Sequence, residues 1–467
     1  MDPVPVVSMR RRSFLAAAAG AIAFGGAPAF GRLSASRSGG STLLQQVVVP
    51  SPDIDISYGQ SNMSNNFASI GDLGLNPEQG TVLALKTSAM PGTLTPGPLS
   101  TSGILLAEWQ RITGVTGYTS SDVISVGRAA ALAEQLIRVA KGVVTTPILE
   151  MNHAYPGCTW LSCQNPDGGG LHPGGTPWSC LETGISKIAN FPNTILKSPR
   201  YRSVAYYQGG SDPDNLAQKD IDLSAMFSAY DALGVMPANF PIFFIFQGAL
   251  TNETDFNNAP SLYELVPNVR ANANNRSWMV TPIYAWPYVG DANTHSGRYG
   301  TCRAGELLAY ARWVYYGERL AAYYPLQLSR SGSITVYGQI ITIPFDRPSG
   351  RDFVGATLTF QNDPRDGIKD WPQKGFHVHR NGIDLAVLAT ISNLNVQLSI
   401  TETLSPGDEL EVSYACYGPG GPNPGPCSGV GGNLCMIGPA SVLFPIAPPP
   451  GNTINAWAMP FKSTVTV

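Results

Sequence analysis

Charge is what this chain has least of. Only 13% of its 467 residues are Asp, Glu, Lys or Arg, and the formal net charge is -3. A chain without a basic surplus has nothing to neutralise phosphates with, so nucleic acid is not an expected partner. So few charges argue for a neutral, hydrogen-bonding surface. Long apolar runs are missing too. Residues 16–26 (AAAAGAIAFGG) are weakly apolar and too short to span a bilayer, so no membrane span is expected in the mature form. Histidine is scarce, with five in the chain. No CxxC pair exists and no cofactor motif is found, so the expected cofactor content is none. There is no internal repeat. What the chain does have is 50 glycines and 39 prolines, which demand many loops.

The first 29 residues read as an address. Arg10, Arg11 and Arg12 precede Ser13-Phe14-Leu15, the apolar run follows, and Ala27-Pro28-Ala29 offers small residues to a signal peptidase. The pattern predicts twin-arginine export, into the periplasm or beyond the cell of a bacterium. Residues 30–46 then read as a flexible leader. Seven cysteines suit an oxidising destination. Cys163 and Cys180 bracket a Gly/Pro-rich loop that a disulfide would clasp. Cys416, Cys427 and Cys435 cluster in a second such stretch, and Cys158 and Cys302 are a further possible pair. An odd count leaves at least one thiol, and the connectivity stays open.

Length favours two domains. Over residues 47–324, apolar strand-like runs alternate with helix-like stretches. The pattern predicts strands at 47–57 (VVVPSPDIDIS), 143–150, 202–207, 240–246 (FPIFFIF) and 278–285, and helices at 123–141, 215–233 and 302–322. Strands apolar on both faces and alternating with helices mean a parallel sheet covered on two sides. Ligands bind such sheets beyond the carboxyl ends of the strands. Residues 325–467 carry short, alternating, strand-rich runs separated by turns and read as an all-β sandwich.

Four segments fall in loops after strands. Gly59-Gln60-Ser61-Asn62 follows the first strand. Its glycine permits a tight turn that lifts the Ser61 hydroxyl out of the sheet. A serine hydroxyl needs a base and an oxyanion site to act as a nucleophile. In residues 152–160 (NHAYPGCTW), Gly157 can bring a backbone N–H against a bound carbonyl. Residues 208–212 (QGGSD) offer the Gln208 side-chain amide. Residues 290–295 (GDANTH) put Asp291 and His295 on one loop, so the acid can orient the base.

This set resembles the SGNH hydrolases, and in particular their sialate O-acetylesterase and acetyl xylan esterase branch. That branch has GQSNM near its start, as in residues 59–63. It has a block like GGT before a tryptophan, similar to Gly157-Cys158-Thr159-Trp160, and a block like QGESD, similar to residues 208–212. It closes on an Asp–His block before the last helix. The resemblance covers residues 50–320. It implies a three-layer α/β/α sandwich of the SGNH, flavodoxin-like kind. It also implies that Ser61 attacks, His295 is the base and Asp291 orients it. The Ser61 N–H, the Gly157 N–H and the Gln208 side chain would hold the oxyanion. The family spaces its acid three residues before the histidine. Here Asp291 stands four before His295, which keeps Asp212 as an alternative acid, and Gly210 stands where relatives carry glutamate.

The expectation is an exported serine esterase that removes O-acetyl groups from small-molecule or polysaccharide esters. Two alternatives stand beside it: a lipase or thioesterase using the same site, and an inactive hydrolase core serving as a surface or polysaccharide-binding protein. Three other features bear on function. His377 and His379 lie two apart on a strand and share one face, but with no third ligand evident they read as an exposed strand. His153 reads as a satisfied loop histidine. The aromatics of residues 284–288 (YAWPY) could line a sugar site or belong to the core.

Overall fold

The computed structural model describes residues 53–59, 63, 68–69, 82–85, 109–111, 123–143, 148–155, 158–162, 169–189, 198–208, 216–246, 276–282, 284, 288–289, 295–296, 298–320, 323–361, 370–417, 431–444 and 452–467. The expected signal peptide and leader lie outside them.

Strand β1, Asp53–Gly59, is buried along its whole length. Ile54, Ile56 and Tyr58 face one side of the sheet and Asp53, Asp55 and Ser57 the other, as strand alternation requires. The sheet also contains β2 (Val82–Leu85), β3 (Trp109–Arg111), β4 (Ile148–Asn152), β5 (Arg200–Gln208), β6 (Ile242–Phe246) and β7 (Ser277–Pro282). Their spatial order is β3-β2-β4-β1-β5-β6-β7. Every pairing is parallel except β2 with β3 at the edge. Ile242, Phe243, Phe244 and Ile245 are all fully buried, which is why β6 is apolar throughout.

Two helices cover each face. Helices α2 (Thr176–Ala189) and α3 (Leu216–Ala232) bury Trp178, Leu181, Met226 and Tyr230 against Tyr58, Tyr206 and Phe244. Helices α1 (Val126–Ala140) and α4 (Arg298–Arg312) bury Ala129, Leu132 and Leu308 against Tyr207, Phe243 and Val280. Gly305 lets α4 press onto α1: a Cβ there would lie 2.4 Å from Ala129 Cβ and 2.9 Å from the Val126 carbonyl oxygen. Between β7 and α4 the chain forms a small hairpin, β8 (Tyr288–Val289) with β9 (His295–Ser296).

The structure redraws several expected boundaries. α1 begins at Val126 rather than 123, because the Ser125 hydroxyl caps it by accepting the Arg128 N–H at 3.2 Å. α4 starts earlier than expected, at Arg298, and widens into a π turn at Trp313–Gly317. α2, β2 and β3 add to the expected elements. The cysteine pairings are also corrected. Cys180, Cys302, Cys416 and Cys435 carry thiols, so neither Cys163–Cys180 nor Cys158–Cys302 forms, and Cys416 is not bridged to Cys435. Among the described cysteines Cys158 alone is disulfide-bonded.

A buried ionic cluster crosses the amino ends of the strands on the α1/α4 face. Arg202 holds both carboxylate oxygens of Glu134, at 2.8 and 2.9 Å, and also bonds Asp55. Arg138 reaches Asp53 at 3.0 Å and Glu134 at 2.6 Å, and Arg200 binds Asp53 from the rim. Burial opposes ionisation of Asp55. The nearby Arg202 and Arg312 charges, with hydrogen bonds from Arg202 and Ser203, outweigh it and hold the carboxyl below its ordinary range. Three acids thus meet four arginines inside a chain with few charges.

After α4 the architecture becomes antiparallel. One sheet is built on β10 (Ile340–Asp346), β13 (Val387–Ser392) and β14 (Asn395–Ile400), and another on β11 (Phe376–Arg380), β12 (Ile383–Leu385), β15 (Glu409–Tyr414) and β16 (Phe461–Thr466). They stack face to face: Ile341, Ile343 and Leu398 meet Phe376, Val412 and Phe461, and the Phe345 and Phe461 rings lie 6.1 Å apart. A third, three-stranded sheet joins Leu358–Phe360, Leu434–Ala440 and Thr453–Trp457. No helix among the described residues is long and apolar enough to cross a membrane.

Candidate functional site

The carboxyl ends of β4, β1 and β5 lie side by side, with β1 in the middle. Ser57 pairs with Asn152 and Gly59 with Tyr207, so Gln208 sits one residue beyond the end of β1. The chain leaving β4 keeps alongside: the His153 N–H donates to the Ser57 carbonyl at 2.8 Å and the Tyr155 N–H to the Gly59 carbonyl at 2.7 Å. Three of the motif-bearing segments therefore depart from adjacent strands at one rim. This is where an open parallel sheet leaves a crevice, since the strand order changes direction about β1.

Gly59 is the best-defined element of this rim. Its φ is +124°, and a Cβ there would lie 2.1 Å from the Tyr207 carbonyl oxygen. Any side chain would collide with the neighbouring backbone, so glycine is required on both conformational and steric grounds. Four residues later Met63 is fully buried in the cluster that holds α1 and α4.

His295 lies at the start of β9, paired with Val289, three residues before α4 begins. α4 runs from there down the same face of the sheet, ending where Arg312 approaches Asp55 at 3.7 Å. The backbone of His295 is thus carried at the upper end of α4, the helix that packs on α1. Ser61, Gly157, Asp291 and Asp212 lie outside the described residues, together with the side chains of Gln208 and His295.

The surroundings sort the remaining candidates. Tyr206 and Tyr207 are core residues under the rim. Tyr284 is core as well: its hydroxyl donates to the Ala458 carbonyl at 2.5 Å and lies 3.0 Å from the Tyr414 hydroxyl, which ties it to the β-rich part and not to a sugar. His153 is buried, but it is not the satisfied loop histidine expected: its Nε2 has no hydrogen-bond partner among the described residues, and burial lowers its imidazole to about 4. Thr159 and Trp160 are pinned through their carbonyls, which accept the Leu171 and His172 N–H groups. Sequence reasoning missed Glu150, which is fully buried on β4 next to β1. Burial pushes its carboxyl up, against the pull of Arg128, Ser57 and Arg312. The signal was a lone acid in the run VVTTPILE.

No protein-family model matches the chain, and no curated protein sequence matches it. Solved structures do. A carbohydrate acetylesterase from Xanthomonas citri is 17% identical with a TM-score of 0.49, covering 88% of this chain and 80% of its own. A protein from Arabidopsis thaliana is 14% identical with a TM-score of 0.35, over 56% of this chain and 98% of its own. A carbohydrate esterase family 2 enzyme with a carbohydrate-binding domain, from Corynascus thermopiles (Myceliophthora fergusii), is 14% identical with a TM-score of 0.30, over 58% and 68%.

Proposed function

We propose that this chain is an exported serine esterase that removes acyl groups, acetyl foremost, from carbohydrate esters. One observation carries the reading. Three adjacent parallel strands end at a common rim, and each leads into one of the motif-bearing segments, with Gly59 held where only glycine fits. The SGNH-like motifs supply the roles. His295 takes the Ser61 proton as Ser61 attacks the ester carbonyl. The oxyanion is held by the Ser61 and Gly157 N–H groups and the Gln208 amide. The alcohol leaves with the proton from His295, and an acyl-serine remains. Water, deprotonated by the same imidazole, then releases the acid. Asp291 orients His295, with Asp212 as the competing acid. The acetyl and carbohydrate preference rests on the motif resemblance, and export on the twin-arginine pattern.

The test is hydrolysis of p-nitrophenyl acetate and acetylated xylan by the purified mature chain. Ser61→Ala and His295→Ala are expected to lower kcat by about 10⁴-fold or more. Gln208→Ala should cost about 10²–10³-fold. Asp291→Asn and Asp212→Asn, compared side by side, identify the acid. Gly59→Ala should lower both kcat and the unfolding temperature, since its added methyl must displace the turn or the neighbouring strand. Equal rates for wild type and Ser61→Ala would leave a binding protein with a hydrolase frame. A preference for long acyl chains over acetyl would make it a lipase or thioesterase.

A further inference from the structure

We infer that the β-rich part carries a binding site for a divalent transition metal, with zinc as the fitting ion, made by His377, His379 and Asp384. The sequence put the two imidazoles on one strand face, and the third donor comes from the hairpin. β11 and β12 are joined by Asn381 and Gly382, both at positive φ (54° and 78°). This is the two-residue turn that fixes register tightly. The register sets Asp384 directly opposite His379, with His377 two residues back on the same face. Phe376 and Val378 point the other way, into the core, and are fully buried, so the face carrying the histidines is held rigidly.

The donor atoms are close enough to share an ion. One ligand atom from each of the three side chains falls within 4.8 Å of the others. Asp384 Oδ2 is 3.0 Å from His377 Nδ1, and Oδ1 is 3.7 Å from His379 Nε2. Donors bound tetrahedrally to zinc at about 2.0–2.1 Å sit about 3.3 Å apart, a spacing these two values bracket. On the other side of β11, Glu411 pairs with His379 and its Oε1 lies 3.2 Å from Nδ1. A proton held on Nδ1 by that carboxylate leaves Nε2 with its lone pair toward Asp384, the arrangement that orients metal-bound imidazoles.

Tyr417 stands edge-on to both rings, at 5.4 and 4.6 Å, and donates to Glu411 at 2.8 Å. The Lys462 ammonium is 3.3 Å from Glu411, and it offsets that carboxylate without engaging Asp384 in the described contacts. The two histidine side chains are 12% and 16% exposed and that of Asp384 is 40% exposed, so a bound ion keeps a position open to water. Two imidazoles, a carboxylate and a water suit zinc better than magnesium or calcium. The ion would clamp the two strands of the hairpin to each other.

The experiment is a zinc titration of the metal-stripped mature chain, read by calorimetry and by competition with a chromophoric chelator. The expected result is one equivalent bound, with a zinc-dependent rise in the unfolding temperature. His377→Gln and His379→Gln should each abolish stoichiometric binding. Asp384→Asn should weaken it, and Glu411→Gln should cost about 10–100-fold by loosening His379. The unfolding temperatures of these variants without zinc serve as the check on folding. Absence of stoichiometric binding, or binding that the histidine variants leave unchanged, overturns the site. Binding indifferent to Asp384→Asn and Glu411→Gln would also overturn it, leaving a casual pair of surface imidazoles. Because Ser61 takes no part, esterase failure and metal-site failure are read separately.

Discussion

His153 shows how one residue can couple this fold to pH. Its ring lies against α2, where a Cβ on Gly184 would come within 2.9 Å of Nε2, and that nitrogen has no hydrogen-bond partner among the described residues. Burial lowers the imidazole to about 4 from an ordinary value near 6.5. The folded chain therefore keeps His153 neutral at a pH where the unfolded chain protonates it. Between those two values the unfolded state binds more protons, so stability is complete above about 6.5 and falls as pH drops toward 4. The full effect is about 3 kcal/mol. Urea unfolding at pH 7 and again near pH 4.5 should show this loss in wild type, and His153→Gln should remove that share of it. Identical pH dependence in the two proteins would mean the ring is not held neutral. Nothing in the motif around His153 distinguishes a buried ring from an exposed one. The deciding partner, Gly184, lies thirty-one positions away on a helix the sequence did not disclose.

At the scale of elements, Glu306 joins α4 to the chain that follows the antiparallel strands. Its carboxylate accepts the Ser441 hydroxyl at 2.6 Å, the Val442 and Leu443 N–H groups at 2.9 Å each, and Arg303 at 2.8 Å. The Arg303 guanidinium in turn lies 4.5 Å over the Phe444 ring. Glu306→Ala would strand two backbone donors and take a carboxylate from the buried Arg303, at a cost of about 3–5 kcal/mol. Glu306→Gln keeps one acceptor oxygen and should lose less. Urea midpoints measure both, and an alanine variant within about 0.5 kcal/mol of wild type would show the contact to be idle. Elements of this kind were unevenly legible. β6 and β15 were readable because their side chains answer a single local rule, continuous burial or alternation. α2 was not, since Thr176-Pro177 and Gly184 read as loop, and its helicity depends on Trp178, Leu181, Ile185 and Ile188 meeting the sheet. β2 and β3 were too short to stand out. Asp53 and Asp55 sit in an otherwise apolar strand because β5, with α1 and α4, supplies the arginines that face them. The third metal donor had a signal in Asn381-Gly382, the turn that sets Asp384 against His379. In the candidate site, the order of the blocks was legible because each follows a strand. The steric need for Gly59 was not, because the Tyr207 carbonyl that enforces it belongs to another strand.

For the whole molecule, the change of architecture after α4 is not matched by a break in the core. One apolar cluster runs from Leu132 and Leu308 through Tyr310 and Phe353 to Val412 and Phe461. Tyr284 reaches Ala458 and Tyr414, the Met459 N–H donates to the Leu326 carbonyl at 2.8 Å, and the Glu306 carboxylate organises residues 441–443. Two sequence patterns thus share an interior that neither encloses alone. A chain ending at Tyr324 would expose the outer side of α4 and leave Glu306 and Tyr284 without those partners, a loss of packing and of hydrogen bonds together. The expected outcome is a single cooperative unfolding transition for the full chain, and for the shortened chain a loss of near-UV circular dichroism with binding of a hydrophobic dye. Calorimetry of the full chain is the sharper measurement. Two resolved transitions, with the shortened chain reproducing one of them, would show that the antiparallel part is an independent body and that the shared core contributes little to holding the rim in shape.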